Sequence, residues 1–152
     1  MTNSESLPLV RPIEPRDASQ VALLCVQLGY ERPEEEVRNW IMELSSCADR
    51  QAAWVAVIEG EVVGWIEVSL TRHLQSPPSA QIGGLVVKEG VRGSGIGRRL
   101  CQQAETWTWQ QPVASLRVNS RTTRPGAHRF YLRDGYRQIK TSLVFEKHRP
   151  QP

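Results

Sequence analysis

The spacing of apolar positions changes several times along this chain, and each spacing predicts a type of element. Apolar residues three or four positions apart, as at Val21, Leu24 and Leu28, predict a helix with one buried face. Short runs rich in valine and isoleucine between turn residues predict strands. The predicted helices are one that ends at Gly29, one within 33–46, one that ends before Pro112 and one over 125–134; the predicted strands are 9–11, two runs within 52–70, then 79–88, 114–119 and 142–147.

Taken in order, these elements predict an α+β fold, β α α β β β α β α β β, with one central mixed sheet flanked by about four helices. Glu59-Gly60 separates two strand-like runs, which is a hairpin signal. The Gly83-Gly84 pair inside a predicted strand indicates a β-bulge or a close approach of a ligand to the backbone. With 152 residues the chain can bury one core, so we expect a single domain over residues 1–152, with loose ends at 1–6 and 148–152.

Several classes of protein find no support in the sequence. The longest apolar run, residues 21–26, is far shorter than the roughly 20 residues that span a membrane, and the first residues lack the parts of a signal peptide. Cys25, Cys47 and Cys101 are widely spaced, without the pattern of a zinc site or a disulfide framework. We therefore expect a cytoplasmic protein with no metal and no membrane partner.

Charge divides the chain into two parts. Residues 1–87 contain 6 Lys and Arg against 12 Asp and Glu, a net charge of −6, and residues 88–152 contain 13 against 4, a net charge of +9. An acidic part suits a cationic substrate, and a basic part suits nucleic acid or a small polyphosphate, unless both are simply solvated surface. The aromatic residues of the basic part do not interleave with its cations, so we expect no nucleic-acid partner.

The junction between the two parts is a glycine-rich stretch, "VRGSGIGRRL", residues 91–100. Glycines between a strand and a helix leave backbone N–H groups at the positive end of the helix dipole, which predicts an anion site; a plain tight turn is the other interpretation. The stretch is not a dinucleotide fingerprint, because Arg98 occupies the place of the third glycine. It is not a P-loop either, because Ile96-Gly97 occupy the places of Lys and Ser/Thr.

The segment Arg92-Gly93-Ser94-Gly95-Ile96-Gly97 resembles the R-G-x-G-[IA]-G loop of the GCN5-related N-acetyltransferases, the GNAT superfamily. The resemblance covers nearly the whole chain, because "QLGY", "WVAVIEGEVVGWIEV", "RPGAHRFYLRDGY" and "FEK" follow in the order and spacing of one bacterial branch. It implies an enzyme that transfers an acetyl group from acetyl-CoA to an amine. A catalytically silent acyl-CoA-binding sensor is the alternative from a different class.

The resemblance also implies where acetyl-CoA binds. Main-chain amides of the loop would hold the pyrophosphate, the strand before the loop would supply an oxyanion donor, and arginines would meet the phosphates. Asn119 is expected to replace an amide contact, because Arg124 occupies the position where many relatives carry asparagine. The implied cofactor-binding residues are Leu85, Val86, Val87, Arg92, Gly93, Ser94, Gly95, Ile96, Gly97, Arg98, Asn119 and Arg124.

Proton transfer requires an acid and a base. Tyr131 occupies the family's tyrosine position in A-x-x-x-Y-x-x-x-G-[FY], which implies that it reprotonates the leaving thiolate. Gln81 occupies the place of a glutamate base found in some relatives and cannot accept a proton. Alternation places Glu67 on one face of its strand with Val63 and Trp65, and Val62 on the other.

Glu67 is therefore the predicted base if that face lines a cleft, and an ordinary solvated acid if it does not. His73 is a second candidate by its usual pKa, although its loop favours exposure. His128 is interpreted as a packing contact.

In this superfamily the first two helices usually build the acceptor wall. Here they would supply Tyr30, Glu34 to Glu36 and Trp40, with Trp65 and Gln81 from the sheet. An acidic and aromatic wall favours cations, so we expect a small cationic amine of aminoglycoside or polyamine type; a protein N-terminus or lysine is the alternative acceptor. Edge strands and five tryptophans are compatible with a homodimer.

Overall fold

The computed structural model describes residues 7–91 and 93–152, so Arg92 and residues 1–6 lie outside the description. The chain divides into two compact units, Met1–Asn119 and Ser120–Pro152. The described elements are β1 (Leu9–Pro12), α1 (Ala18–Gln27), α2 (Glu34–Leu44), β2 (Gln51–Ile58), β3 (Glu61–His73), β4 (Ser76–Val87), α3 (Ile96–Trp109), β5 (Leu116–Val118) and α4 (Pro125–Arg133), with short 3-10 turns at Pro15–Asp17 and Ser45–Cys47.

The first unit is built on one mixed sheet. The described strands follow the order β1-β2-β3-β4-β5; the first four pair antiparallel, and β4 pairs with β5 in parallel. β2 and β3 meet at Glu59 and Gly60, both with positive φ, as a tight hairpin turn requires. The predicted α+β class, mixed sheet and hairpin are therefore confirmed.

Helices pack against the sheet through their apolar stripes. Val21, Leu24, Val37 and Ile41 of α1 and α2 are buried in one cluster with sheet residues such as Val55. Ile96, Leu100, Cys101 and Ala104 of α3 are also buried. The helical spacing in the sequence predicted both sets.

Two irregularities in the sheet change which side chains share a face. Between β3 and β4, Glu67 pairs with Gly84 and Val68 with Ile82, so Gly83 is the extra residue of a bulge. Between β2 and β3 the register shifts at Ala56/Val57, and Val62 packs in the buried cluster of α1 and α2. The prediction that Val62 lies opposite Trp65 was therefore wrong, because strict alternation does not continue through a bulge.

The second unit contains α4 and a C-terminal segment that follows it. Residues 137–152 form neither helix nor strand, so the strand expected at 142–147 was wrong, as was the pair of strands expected after the last helix. Leu143, Val144 and Phe145 favour a strand locally, but no strand of the described residues pairs with them, and a strand without a partner has no ladder to stabilise it.

Candidate active site

A cavity of about 150 Å³ lies between the first two helices and the sheet. Most of its lining is apolar or aromatic, and its charged groups are the Glu67 carboxylate and the Arg32 guanidinium. The lining residues are Ile13, Val21, Cys25, Arg32, Val37, Trp40, Ile41, Ala53, Trp65 and Glu67. Of the two alternatives for Glu67, the one in which its face of the strand lines a cleft is therefore the one that the fold shows.

Burial changes the acid–base properties of two residues in this cavity. Desolvation raises the pKa of Glu67, because the ionised carboxylate loses water. Desolvation also raises the pKa of Cys25; the Glu67 charge adds to this rise, whereas the Arg32 charge opposes it. A carboxyl with a raised pKa is a stronger base than a solvated one once it is ionised.

The glycine pair of β4 makes room for the two side chains that β3 directs into the cavity. A methyl group at Gly83 would lie 2.9 Å from Cδ of Glu67, and a methyl group at Gly84 would lie 2.6 Å from Cη2 of Trp65. The side chains of Glu67 and Trp65 are therefore the groups that lie close to the backbone of β4 at this glycine pair. The indole N–H of Trp65 is buried and has no hydrogen-bond partner among the described residues.

The glycine-rich loop leads from β4 into α3. Gly93 and Gly95 have φ values of 87° and 82°, and Gly95 is the N-cap of α3. Among the described residues, no atom other than those of the sequence neighbours lies within 4 Å of a methyl group built on either glycine, so the left-handed backbone, rather than crowding, requires them. Ser94 Oγ donates to the Val91 carbonyl, and buried Ile96 anchors the first turn of the helix.

β4 loses its outer partner before it reaches this loop. β5 pairs with β4 only at Ala80, Gln81 and Ile82. Lys88 N–H donates to Val63 O at 2.8 Å, so by alternation residues 85 and 87 direct their backbone groups away from β3, toward the side that β5 has left. This edge is where the resemblance expects the oxyanion donor.

The remaining predicted site residues are divided between the two units. Gln81 is half-buried and lies in the ladder between Ser69 and Arg117, and Tyr30 is exposed just beyond α1. Asn119 directly follows β5, and Arg98 lies exposed on the first turn of α3.

Tyr131 and Arg124 belong to the second unit. Arg124 is the N-cap residue of α4. The Tyr131 ring makes edge-on contacts with Phe130 at 5.2 Å and with Tyr136 at 5.6 Å between ring centroids. Tyr136 N–H also donates to the Tyr131 carbonyl at 2.9 Å, so the chain folds back onto this tyrosine.

The acidic wall expected from α2 is largely neutralised. Glu34 Oε1 accepts from Arg38 Nη2 at 2.6 Å, and Glu36 Oε2 accepts from Arg32 Nη1 at 3.0 Å. Both pairs are separated by four residues on exposed surface, where such ion pairs contribute little to stability. Their charges nevertheless cancel locally, so Glu67 is the acid that the cavity itself presents.

The histidines do not enter the cavity. His73 is exposed at the end of β3, and His128 lies in α4, where its Nε2 is 2.7 Å from the Arg121 carbonyl oxygen, a local contact. Within the described ranges, no group of three or more His, Cys, Asp or Glu residues is arranged to hold a metal ion. The helices of the same ranges are all too short or too polar to cross a membrane.

Sequence reasoning missed Cys25 and Arg32 as cavity residues. Cys25 lies one helical turn after Val21 on the buried face of α1, so its spacing carried the signal. Arg32 lies in the irregular connection between the helices, where no periodicity fixes the direction of a side chain.

A glycine loop that opens a helix suits a phosphorylated donor, and a cavity that holds a carboxylate suits a small acceptor; together they are typical of a group-transfer enzyme. The family model described as the Acetyltransferase (GNAT) family matches residues 18–136. The chain belongs to this family and is an acetyl-CoA-dependent N-acetyltransferase, which confirms the resemblance seen in the sequence.

Two relatives of this chain have names that identify N-acetyltransferases of amine-bearing small molecules. An aminoglycoside N(6')-acetyltransferase type 1 of Stenotrophomonas maltophilia is 30% identical over 149 residues, which cover 92% of this chain and 93% of the relative. An aminoalkylphosphonate N-acetyltransferase of Salmonella typhimurium is 38% identical over 85 residues, so this chain spans only 55% of that relative's length. The solved aminoglycoside N-acetyltransferase AAC(6')-Iy in complex with CoA has a TM-score of 0.83 at 16% identity, covering 97% of this chain and 99% of that one, which shows the fold.

Proposed function

We propose that this protein transfers the acetyl group of acetyl-CoA to the primary amine of a small molecule bound in the cavity of Glu67. The observation that carries this proposal is the Glu67 carboxyl itself, which is half-buried in a cavity walled by Trp40 and Trp65. A carboxylate in such a site attracts an ammonium group and then accepts its proton, and the indole rings favour the same cation.

The residues of this chain would divide the proton transfers between them. A free alkylammonium has a pKa near about 10.4, so its nitrogen is not nucleophilic until a base removes a proton. Glu67 accepts that proton, and a backbone N–H of residues 85–87 donates to the carbonyl oxygen of the thioester as the nitrogen adds to its carbon. The nitrogen of the adduct still carries a second proton to lose. As the carbonyl re-forms and the C–S bond breaks, Tyr131 donates its phenolic proton to the departing sulfur, and the nitrogen releases its extra proton to solvent, from which the Tyr131 phenolate is reprotonated. Acetylated amine and CoA thiol remain.

The loop fits the phosphates of acetyl-CoA. Within the described ranges, a methyl group added at Gly93 or Gly95 would meet no atom outside the adjacent residues, and the amides at the start of α3 lie at the positive end of a 14-residue helix. Ser94, Arg98 and Arg124 would supply further donors, as would Asn119. Leu85, Val86 and Val87 would hold the acyl arm along the part of β4 that continues beyond its pairing with β5.

Aminoglycosides are the first acceptor class to test, because a relative of nearly the same length carries that activity in its name. Aminoalkylphosphonates are the second class. Arg32 lines the cavity and bonds Glu36 through one guanidinium nitrogen, and its other N–H groups would meet the anion of a molecule whose amine meets Glu67. We also propose a cytoplasmic location.

The experiment measures CoA thiol release from acetyl-CoA with separate pools of aminoglycosides, aminoalkylphosphonates, polyamines and peptides. Release with one pool names the acceptor class. Tyr131→Phe should lower kcat by about 10- to 100-fold, because a thiolate leaves without much help from an acid. Tyr136→Phe, which removes a hydroxyl from the neighbouring ring and keeps its edge-on contact with Tyr131, is the matched control. Binding of acetyl-CoA without release from any pool would contradict the catalytic proposal and favour a sensor.

A further inference from the structure

The last residue of α1 connects that helix to the end of β4. Gln27 Nε2 donates to the Val87 carbonyl at 2.7 Å, and Gln27 Oε1 accepts from the Glu89 N–H at 2.9 Å. One planar amide therefore makes both bonds. The two backbone groups that it binds flank Lys88, at the point where the strand gives way to the loop.

This pair of bonds has the pattern of a β-ladder. In a parallel ladder, one residue donates to the carbonyl before the residue opposite it and accepts from the N–H after that residue. The Gln27 amide makes this pair of bonds on one side of Lys88, while Lys88 N–H donates to Val63 O at 2.8 Å on the other. β5 pairs with β4 no further than Ile82, so the Gln27 side chain supplies at residues 87–89 the contacts of a missing neighbour strand.

The sequence around Gln27 fixes it in this place. Gly29, with a φ of 98°, donates its N–H to the Val26 carbonyl at 2.9 Å, and Tyr30 N–H donates to the Cys25 carbonyl at 2.9 Å. These two bonds form the Schellman motif that ends a helix. The "QLGY" segment therefore ends α1 immediately after Gln27 and holds that residue in the last helical turn.

We propose that Gln27 is a positioning residue for acetyl-CoA. By holding the Val87 carbonyl and the Glu89 N–H, it fixes the direction in which β4 enters the glycine loop, and with it the backbone groups of residues 85–87 and 93–97. Main-chain donors have no side-chain freedom with which to correct a displaced loop, so a small shift weakens all of them together. This inference rests on the proposed binding of acetyl-CoA by that loop.

The test uses two substitutions at Gln27 and one matched control. Gln27→Met keeps the length of the side chain and removes both hydrogen bonds. Gln27→Glu keeps an acceptor for the Glu89 N–H but places a carboxylate oxygen against the Val87 carbonyl. The control is Gln20→Met on the same helix, because Gln20 Oε1 accepts from the Val62 N–H at 2.7 Å and so bonds to β3 rather than to β4 or the loop.

The readout is the Kd of acetyl-CoA measured by calorimetry, together with the KM of the amine and the melting temperature. Loss of about two neutral hydrogen bonds predicts a roughly tenfold higher Kd in Gln27→Met, with no change in the KM of the amine. Gln27→Glu should be at least as weak, and Gln20→Met should bind as the wild type does. A structural role alone would lower the melting temperature of both methionine variants and leave both Kd values unchanged.

Two results would overturn the proposal: a wild-type Kd in Gln27→Met, or an equal loss of affinity in Gln20→Met. Both results are Kd values for acetyl-CoA, so they can be measured whether or not the protein transfers the acetyl group. A wild type that binds acetyl-CoA without releasing thiol contradicts the proposed reaction and leaves the comparison of Kd values intact. A wild type that does not bind acetyl-CoA contradicts both.

Discussion

At the residue scale, burial gives Glu67 properties that a strand acid in water does not have. Its carboxyl lies in an apolar cavity, and desolvation raises its pKa. A general base works best when its pKa approaches the working pH, so the same burial that makes ionisation costly also makes Glu67 suited to remove a proton from an amine. Two measurable consequences follow from this pKa, one for catalysis and one for stability.

Glu67→Gln keeps the size of the side chain and removes the proton acceptor. We expect kcat/KM for the amine to fall by about 10²- to 10⁴-fold, with an unchanged Kd for acetyl-CoA. In the wild type, kcat/KM should fall as the pH is lowered through the raised pKa of Glu67, and the variant should lack this limb of the profile. Glu43→Gln, on an exposed acid of α2, is the control. Wild-type kcat/KM in Glu67→Gln across the pH range would exclude Glu67 as the base.

The same substitution should change stability in the opposite direction. The folded protein holds the Glu67 proton more tightly than the unfolded chain, so the free energy of unfolding decreases as the pH rises through the raised pKa and recovers below the ordinary carboxyl pKa. Glu67→Gln should therefore melt at a higher temperature than the wild type above the raised pKa. Thermal melts over a pH series should show this difference narrowing as the pH falls; a constant difference would contradict the linkage.

At the element scale, the β3–β4 pair positions the site through an irregularity. The bulge at Gly83 and the neighbouring Gly84 leave the space that Glu67 and Trp65 occupy. The glycine pair was visible in the sequence, and the predicted bulge is confirmed. The sequence did not predict which side chains occupy this space. Their identity depends on the register between β3 and β4, which the local sequence does not specify.

Gly83→Ala should displace the Glu67 carboxyl, because the new methyl group would meet Cδ at 2.9 Å and Oε1 more closely. We expect a loss of about 1–3 kcal/mol in the free energy of unfolding and a lower kcat/KM, measured by denaturant titration and steady-state kinetics. In a Glu67→Ala background the same substitution should cost little further stability. Gly126→Ala is the control, since its nearest neighbour would be Arg129 Nη2 at 3.8 Å. Equal losses in both backgrounds would show that Glu67 is not what Gly83 accommodates.

At the scale of the whole molecule, the C-terminal segment leaves apolar surface uncovered. Leu143, Val144 and Phe145 are 80%, 90% and 86% exposed. Soluble monomers rarely expose contiguous apolar surface of this kind, and a homodimer, with which the sequence is compatible, would cover it.

We expect the protein to be a homodimer with twice the 17.2 kDa mass of the chain, measured by light scattering coupled to size exclusion. Replacing Leu143 and Phe145 together by serine should yield the monomer mass, because the apolar area that would be buried is lost. Replacing exposed Leu74, at the β3–β4 turn, by serine should leave the mass unchanged. A wild-type monomer at every concentration would contradict the prediction.

The sequence by itself determined the elements that local chemistry specifies. Helical spacing located the buried faces of α1, α2 and α3, turn residues located the β2–β3 hairpin, and the glycine loop with its flanking motifs identified the family. These features depend on neighbours a few positions apart, so they can be read along the chain.

The tertiary structure alone decided which distant residues meet. It brought Glu67 and Trp65 under α1 and α2 beside Cys25 and Arg32. Within the described part of the chain, it gave residues 142–147 no strand partner. It also paired Glu34 and Glu36 with arginines and joined Gln27 to the end of β4. Each of these outcomes depends on register, on a bulge or on the direction of a side chain across the sheet, and none of these is encoded in local spacing.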